Sequence, residues 1–285
     1  MSSQVSQLSP IGRFEKILLA TDGSEFSAGA ARAAIHLARA CGGKLTAMSM
    51  VLGNPEYDTL APKLVAKALA EARMTLEQVK VEAKAAGIEC ATQLRQGEDP
   101  HKEIVAASEE LQADVVVMGR RGRRGLARLM VGDATAKVVG NAHCSVLVVP
   151  RDADLGTARI LLATDGSRYA DAAAVTASGL ARHLGLPVSV ISVKVPSHSD
   201  SRRAEAETIV SRVVEFLGKE GIAVDGRTGE GEVADVVAAA ARATGADIIV
   251  ISSYGRTGWG RALLGSNGER IIGKAECAVL VAKGA

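Results

Sequence analysis

Short apolar runs rich in β-branched residues alternate along this chain with longer stretches in which apolar residues recur every three to four positions. The runs predict strands and the longer stretches predict amphipathic helices. Residues 17–20 form the first run, after which Ala30, Ala34, Leu37, Ala38 and Cys41 fall on one helical face. Ser24 is placed to cap that helix, and Gly42-Gly43 to end it. Further strands are expected at 45–50, 89–94, 115–117 and 146–149, with helices at 63–86 and 100–111 among them. The same order returns after Arg159. Ala173, Ala177, Leu180, Ala181 and Leu184 repeat the first helical face. Strands follow at 188–193, 223–227 and 279–281, and helices at 201–220 and 233–244. Each half reads β-α-β-α-β-α-β-α-β. Such alternation predicts an α/β fold: two repeated doubly wound domains, each a five-stranded parallel sheet covered by helices on both faces.

The repetition is explicit in the residues. KILLATDGS at 16–24 returns as RILLATDGS at 159–167. DVVVMGRRGRRGLARLMVGD at 114–133 returns as DIIVISSYGRTGWGRALLGS at 247–266. Gly122 and Gly132 match Gly255 and Gly265 at an offset of 133, whereas the first motif is offset by 143. The first half therefore carries about ten extra residues, expected as a loop at 51–62 where Gly53, Asn54 and Pro55 cluster. Domains of 1–150 and 151–285 follow.

A strand that runs into glycines and then a helix is a general way for backbone to approach a phosphate. Glycine removes the Cβ, amide N–H groups face the anion, and the helix adds its positive end. Asp22 and Asp165 lie just past the first strand of each half, and the glycine stretches just past the fourth. Ligands on parallel sheets bind beyond the C-terminal strand ends, where the strand order reverses. If strands one and four are neighbours, carboxylate and glycines meet in one crevice. The plainer alternative is a helix cap and a tight turn that bind nothing. Arg120, Arg121, Arg123 and Arg124 form a basic cluster that suits phosphate, an acidic partner or simple solvation.

Together, ATDGS after a first strand and Gly-x2-Gly-x9-Gly-Ser after a fourth resemble the universal stress protein family, over about 14–150 and 159–283. The chain looks like a tandem member. Its first copy has Gly119, Gly122 and Gly132 but Asp133 where the family has Ser or Thr; its second has Gly255, Gly265 and Ser266 but begins with Ser252 in place of Gly. The resemblance implies strand order 3-2-1-4-5 in each domain and a pseudo-twofold relation between them. It implies ATP as ligand, with Mg or without it. Adenine and ribose would lie at Asp22 with Met50 and at Asp165 with Val193. The phosphates would lie on Gly119, Gly122 and Gly132, and on Ser252, Gly255, Gly265 and Ser266. Family members dimerise through their fifth strands. Here 146–149 and 279–282 can make that contact within the chain, which leaves a homodimer of whole chains open.

Composition narrows the rest. The chain has 285 residues, is 47% hydrophobic and only 2% aromatic, so its core is built from Ala, Val, Leu and Ile. A formal net charge of +2 is too small to argue for nucleic-acid or membrane attraction, and aromatics for base stacking are not interleaved. No apolar run reaches 18 residues, and the first 16 residues contain no apolar signal-peptide region, so a cytoplasmic location is expected. Cys144 and Cys277 occupy equivalent apolar positions and read as reduced core residues. The five histidines show no metal-ligand spacing. GERIIGK at 268–274 mimics a phosphate-loop spacing, but Ala275 lacks the metal-holding hydroxyl and the segment reads as helix. The expected function is adenine-nucleotide binding in stress response or signalling, with little or no turnover. A slow ATP hydrolase on the same fold, or a scaffold with decayed sites, are the alternatives.

Overall fold

The computed structural model describes residues 12–122, 131–255 and 265–284. β1 (Lys16–Ala20) leads through a 3-10 turn (Glu25–Ser27) into α1 (Ala28–Cys41). β2 (Lys44–Leu52) is followed by a short α2 (Pro55–Leu60) and a long α3 (Pro62–Ala85), and β3 (Cys90–Gly97) by α4 (Pro100–Glu110). β4 (Val115–Gly119), α5 (Asp133–Asn141) and β5 (Ser145–Val149) complete the first repeat. The second runs β6 (Ile160–Ala163), α6 (Arg168–Leu184), β7 (Val188–Lys194), α7 (Asp200–Lys219), β8 (Val224–Glu230) and α8 (Val233–Thr244). It ends with β9 (Ile248–Ser252), α9 (Ser266–Lys274) and β10 (Ala278–Ala282).

All the strands join one ten-stranded sheet in the order β3-β2-β1-β4-β5-β10-β9-β6-β7-β8. Read from either edge, each repeat has its own strands in the order 3-2-1-4-5. Every pairing is parallel except the central one, where β5 and β10 run antiparallel with Val146 opposite Val281, Leu147 opposite Leu280 and Val148 opposite Val279. These six side chains are buried on both faces, each worth roughly 1.5–3 kcal/mol of removal from water.

Strand residues alternate between two apolar layers, as the period of two requires. Ile17 and Leu19 join α1, α3, α6 and α7 on one side, while Leu18 and Ala20 join α4, α5, α8 and α9 on the other. Each layer contains residues of both repeats, so the core continues across the seam.

Two local expectations are corrected. The extra residues at 51–62 are not all loop, because Pro55 and Pro62 each open a helix. Proline suits a first helical turn, where its missing N–H would have no partner anyway. Ser24 does not cap α1. A 3-10 turn intervenes, and its hydroxyl donates instead to Asp22 Oδ1 at 2.6 Å. Its counterpart Ser167 does cap α6, accepting from the Ala170 N–H at 3.2 Å.

Candidate functional site

The sheet places β1 beside β4 and β6 beside β9, which is the reversal point of each repeat. Asp22 lies two residues beyond Ala20, which pairs with Met48 of β2 and Met118 of β4. Met50 is therefore level with Asp22, and Gly119 lies one step past Met118. In the second repeat Ala163 pairs with Ile191, so Val193 is level with Asp165. The second strands run past Met50 and Val193, to Leu52 and Lys194, so neither residue ends its strand.

Each carboxylate is fixed by the turn that follows it. Asp22 Oδ1 accepts from the Ser24 N–H, and Asp165 Oδ1 from the Ser167 N–H, both at 3.0 Å. The other oxygen faces the glycine stretch. A Cβ on Gly122 would sit 2.8 Å from Asp22 Oδ2, and one on Gly255 would sit 3.2 Å from Asp165 Oδ2. Asp and Gly thus share one crevice in each repeat, with glycine keeping the space between them open.

Gly119 has a different reason to be glycine. A Cβ there would lie 2.8 Å from the Phe26 carbonyl of the 3-10 turn. The second repeat has no 3-10 turn after its Asp, since α6 begins directly at Arg168, so Ser252 fits where Gly119 must be bare. Neither Gly119 nor Ser252 has positive φ, so the serine carries no left-handed backbone strain. The Ser252 hydroxyl donates to the Tyr254 carbonyl at 2.8 Å.

Gly132 and Gly265 precede α5 and α9 in extended conformation, which leaves the first helical N–H groups directed out of the helix. Gly132 N–H donates to the Arg120 carbonyl at 2.9 Å and Thr135 Oγ1 to the Gly119 carbonyl at 3.1 Å, so the first stretch begins and ends side by side. Asp133 is the first residue of α5, exposed and ion-paired with Lys137 at 2.8 Å, whereas Ser266 opens α9 and is exposed. Arg123, Arg124 and Gly125 lie outside the described residues.

Arg120 overturns part of the basic-cluster reading. Its guanidinium is half-buried and donates across the seam to the Ala275, Gly273 and Ile272 carbonyls at 2.7, 3.3 and 3.4 Å. Burial holds its pKa below the usual value, with Arg121 contributing. It links the two repeats.

The sequence reading missed an aromatic feature of the second crevice. Tyr169, in the first turn of α6, packs against Tyr254 with ring centroids 5.3 Å apart, and the Lys283 ammonium lies 5.8 Å from the Tyr254 ring. In so aromatic-poor a chain, Tyr169 just after the motif at 159–167 and Tyr254 within the motif at 247–266 were the available signal. Lys283 Nζ also donates to the Gly140 carbonyl at 3.2 Å, near Cys144 and His143. Burial lowers its pKa from 10.5 to about 8. Between those values the unfolded chain holds a proton that the folded chain has lost, so this group adds stability as pH rises through the window. The stability gap between wild type and Lys283→Met is expected to shift toward wild type by about 1.4 kcal/mol per pH unit there. Urea unfolding of both proteins at pH 7, 8 and 9 measures it; a pH-independent gap rejects the buried ammonium. The difference cancels Cys41 and Cys277, whose thiols burial pushes up to about 12 and which remove stability from about pH 9 upward; Cys144, pushed up to about 12 as well, interacts with Lys283, so the comparison is read at pH 9 and below.

Among the described residues no group of His, Cys, Asp or Glu is placed to hold a metal ion, the four cysteines are free thiols, and no helix is long and apolar enough to cross a membrane. The segment 268–274 lies within α9, as its pattern indicates, and is not a phosphate loop.

Comparison with known proteins agrees with this architecture. The model of the universal stress protein family matches twice, at residues 13–150 and 156–283. A universal stress protein of Methanocaldococcus jannaschii is 35% identical over 142 residues, covering 48% of this chain and 83% of that protein. Universal stress protein YxiE of Bacillus subtilis is 30% identical over 149 residues, covering 48% of this chain and 99% of that protein. The crystal structure of a universal stress protein from Archaeoglobus fulgidus has the same fold, with a TM-score of 0.74 at 24% identity over 94% of this chain and 97% of that one. The chain belongs to the universal stress protein family, with the stress-response role of that family, as a tandem of two repeats.

Proposed function

We propose that each repeat binds an adenine nucleotide, ATP with or without Mg, in the crevice between its Asp and its glycine stretch, and that the protein acts as a nucleotide-responsive stress module with little or no turnover. The carrying observation is the closeness of Asp22 to Gly122 and of Asp165 to Gly255, which a single Cβ would close. A carboxylate accepts hydrogen bonds only, which suits ribose hydroxyls or an amino group. Met50 and Val193, level with the carboxylates, offer apolar contact to a base. The N-terminal ends of α5 and α9 offer backbone N–H groups and a positive dipole end to phosphate. A bound nucleotide would supply the anionic triphosphate these donors suit. Mass spectrometry of small molecules released from freshly purified protein, followed by calorimetric titration with ATP, tests the reading; failure to retain or bind any nucleotide rejects it.

The two crevices should differ. Asp133 puts a carboxylate at the helix end where Ser266 puts a hydroxyl. At about 4 Å from a phosphate charge the repulsion is roughly 1 kcal/mol in water-like surroundings and about 4 at intermediate dielectric. The Asp133 side chain is 80% exposed and Lys137 offsets its charge, so the low end applies. Asp133→Ser is expected to tighten first-repeat ATP binding about fivefold. Calorimetry on a chain whose second crevice is closed by Gly255→Val isolates that site. Unchanged or weaker binding places the phosphates elsewhere.

A further inference from the structure

The helices that end at the two crevices are each gripped from the opposite repeat. Arg120, the residue after β4, is tied by its backbone to the first glycine stretch: its N–H donates to the Val149 carbonyl at 3.0 Å and its carbonyl accepts from Gly132 at 2.9 Å. Its side chain holds the Ile272, Gly273 and Ala275 carbonyls, the C-terminal end of α9. The N-terminal end of α9, Gly265 and Ser266, belongs to the other crevice. In return Lys283, the residue after β10, holds the Gly140 carbonyl at the C-terminal end of α5 and lies by the Tyr254 ring, next to Gly255. The N-terminal end of α5, Gly132 and Asp133, belongs to the first crevice.

Gly140 and Gly273 are equivalent positions, yet the cations that hold them come from non-equivalent strands. Arg120 has Ser253 as its counterpart, 4% exposed, with a hydroxyl that lacks a hydrogen-bond partner among the described residues. The arrangement is thus crossed but not symmetric. Three carbonyls on one guanidinium place a full positive charge at the negative end of the α9 dipole. A helix of nine residues is only about 14 Å long, so an anion that fixes its first turn also fixes its last.

Resting on the nucleotide reading above, we infer that the crevices are coupled through these end contacts: ligand at the N-terminal end of α9 steadies its C-terminal end, and through Arg120 the glycine stretch of the first crevice. Arg120 is a positioning residue and touches no ligand. The sign is positive, because ordering that the second site has already imposed need not be repeated by the first. Couplings of this kind are typically about 5- to 150-fold in affinity.

The test is hydrogen exchange by mass spectrometry on the full chain, with ATP as probe and Gly122→Val closing the first crevice so that ATP can enter only the second. With Arg120 present, ATP is expected to slow exchange about fivefold or more at residues 131–136 as well as at 265–269. Arg120→Met should remove the response at 131–136 while leaving that at 265–269, and Arg120→Lys, which keeps a cation, should restore part of it. Because the readout is the change caused by ATP, mere loosening by the substitution does not mimic it. Protection confined to 265–269 with Arg120 intact overturns the coupling, as does an ATP response at 131–136 that survives Arg120→Met. No protection at 265–269 in any variant overturns the nucleotide reading itself, and the coupling with it.

Discussion

Replacing Gly255 with valine is expected to weaken ATP binding at the second crevice about a hundredfold or more, with thermal unfolding close to that of wild type. A Cβ at this position already comes within 3.2 Å of Asp165 Oδ2, and the two methyl groups of valine extend into the space between carboxylate and backbone. Two contributions are then lost together. A hydrogen bond from the ligand to a charged carboxylate is worth roughly 1.5–3 kcal/mol, and a backbone donor about 1 more. A loss of about 3 kcal/mol is a little over a hundredfold. The fold should not suffer, because Gly255 is exposed and its φ is not positive. Calorimetry with ATP reads the first outcome and circular dichroism on heating the second. Unchanged affinity in a folded protein would falsify the placement of phosphate and nucleoside around Gly255.

The second large effect concerns the joint between repeats. Gly29, in the first turn of α1, lies against the chain that leaves β5. A Cβ there would fall 2.3 Å from the Pro150 carbonyl oxygen and 2.7 Å from that of Arg151. Both obstacles are backbone, and that backbone is pinned: Arg32 donates to the Arg151 carbonyl at 2.9 Å, and the Arg151 side chain pairs with Glu25 at 2.5 Å. No side chain can swing aside, so α1 or the connection must move out of a continuous core. Overpacking typically costs 1–3 kcal/mol, and Gly29→Ala is expected at about 3 or beyond it. Gly42→Ala is the comparison. Gly42 has φ +62° with nothing within 4 Å of its Cβ position, so alanine there meets only backbone strain, roughly 1–2 kcal/mol. Urea midpoints should therefore fall more for Gly29→Ala than for Gly42→Ala. The reverse order would mean that the connection yields.

Repetition made most of the fold legible. Apolar runs and glycine stops located the strands and nearly every helix, most of them to within two residues, since continuous β-branched runs have little else to form than a buried strand; the polar third strands β3 and β8 each run three residues further than expected. Strand order did not come from periodicity; it came with the family resemblance, because pairing joins residues far apart in sequence, such as Ile17 and Val115. The short α2 was hidden because Gly53, Asn54 and Pro55 signal a turn whether or not one helical turn follows. Of the candidate site, Asp22, Asp165 and the glycines were visible as motif. That Gly119 answers to a 3-10 turn, and that Arg120 reaches residues 272–275, depends on packing between segments more than 90 residues apart, which no local pattern encodes.

The antiparallel pairing of β5 with β10 has a consequence for how the two crevices can differ. In an assembly of identical subunits every substitution is present twice, so a carboxylate at one helix end is a carboxylate at both. Here the seam lies within one chain. Asp133 and Ser266 coexist, as do Arg120 and Ser253, or Gly119 and Ser252, at equivalent places on either side of it. Because the partners share a polypeptide, their pairing does not weaken on dilution, and across this seam the two kinds of crevice are always joined one to one. On the nucleotide-binding reading proposed above, one molecule carries two thresholds for the same ligand, in a fixed one-to-one ratio that changes in protein concentration cannot disturb.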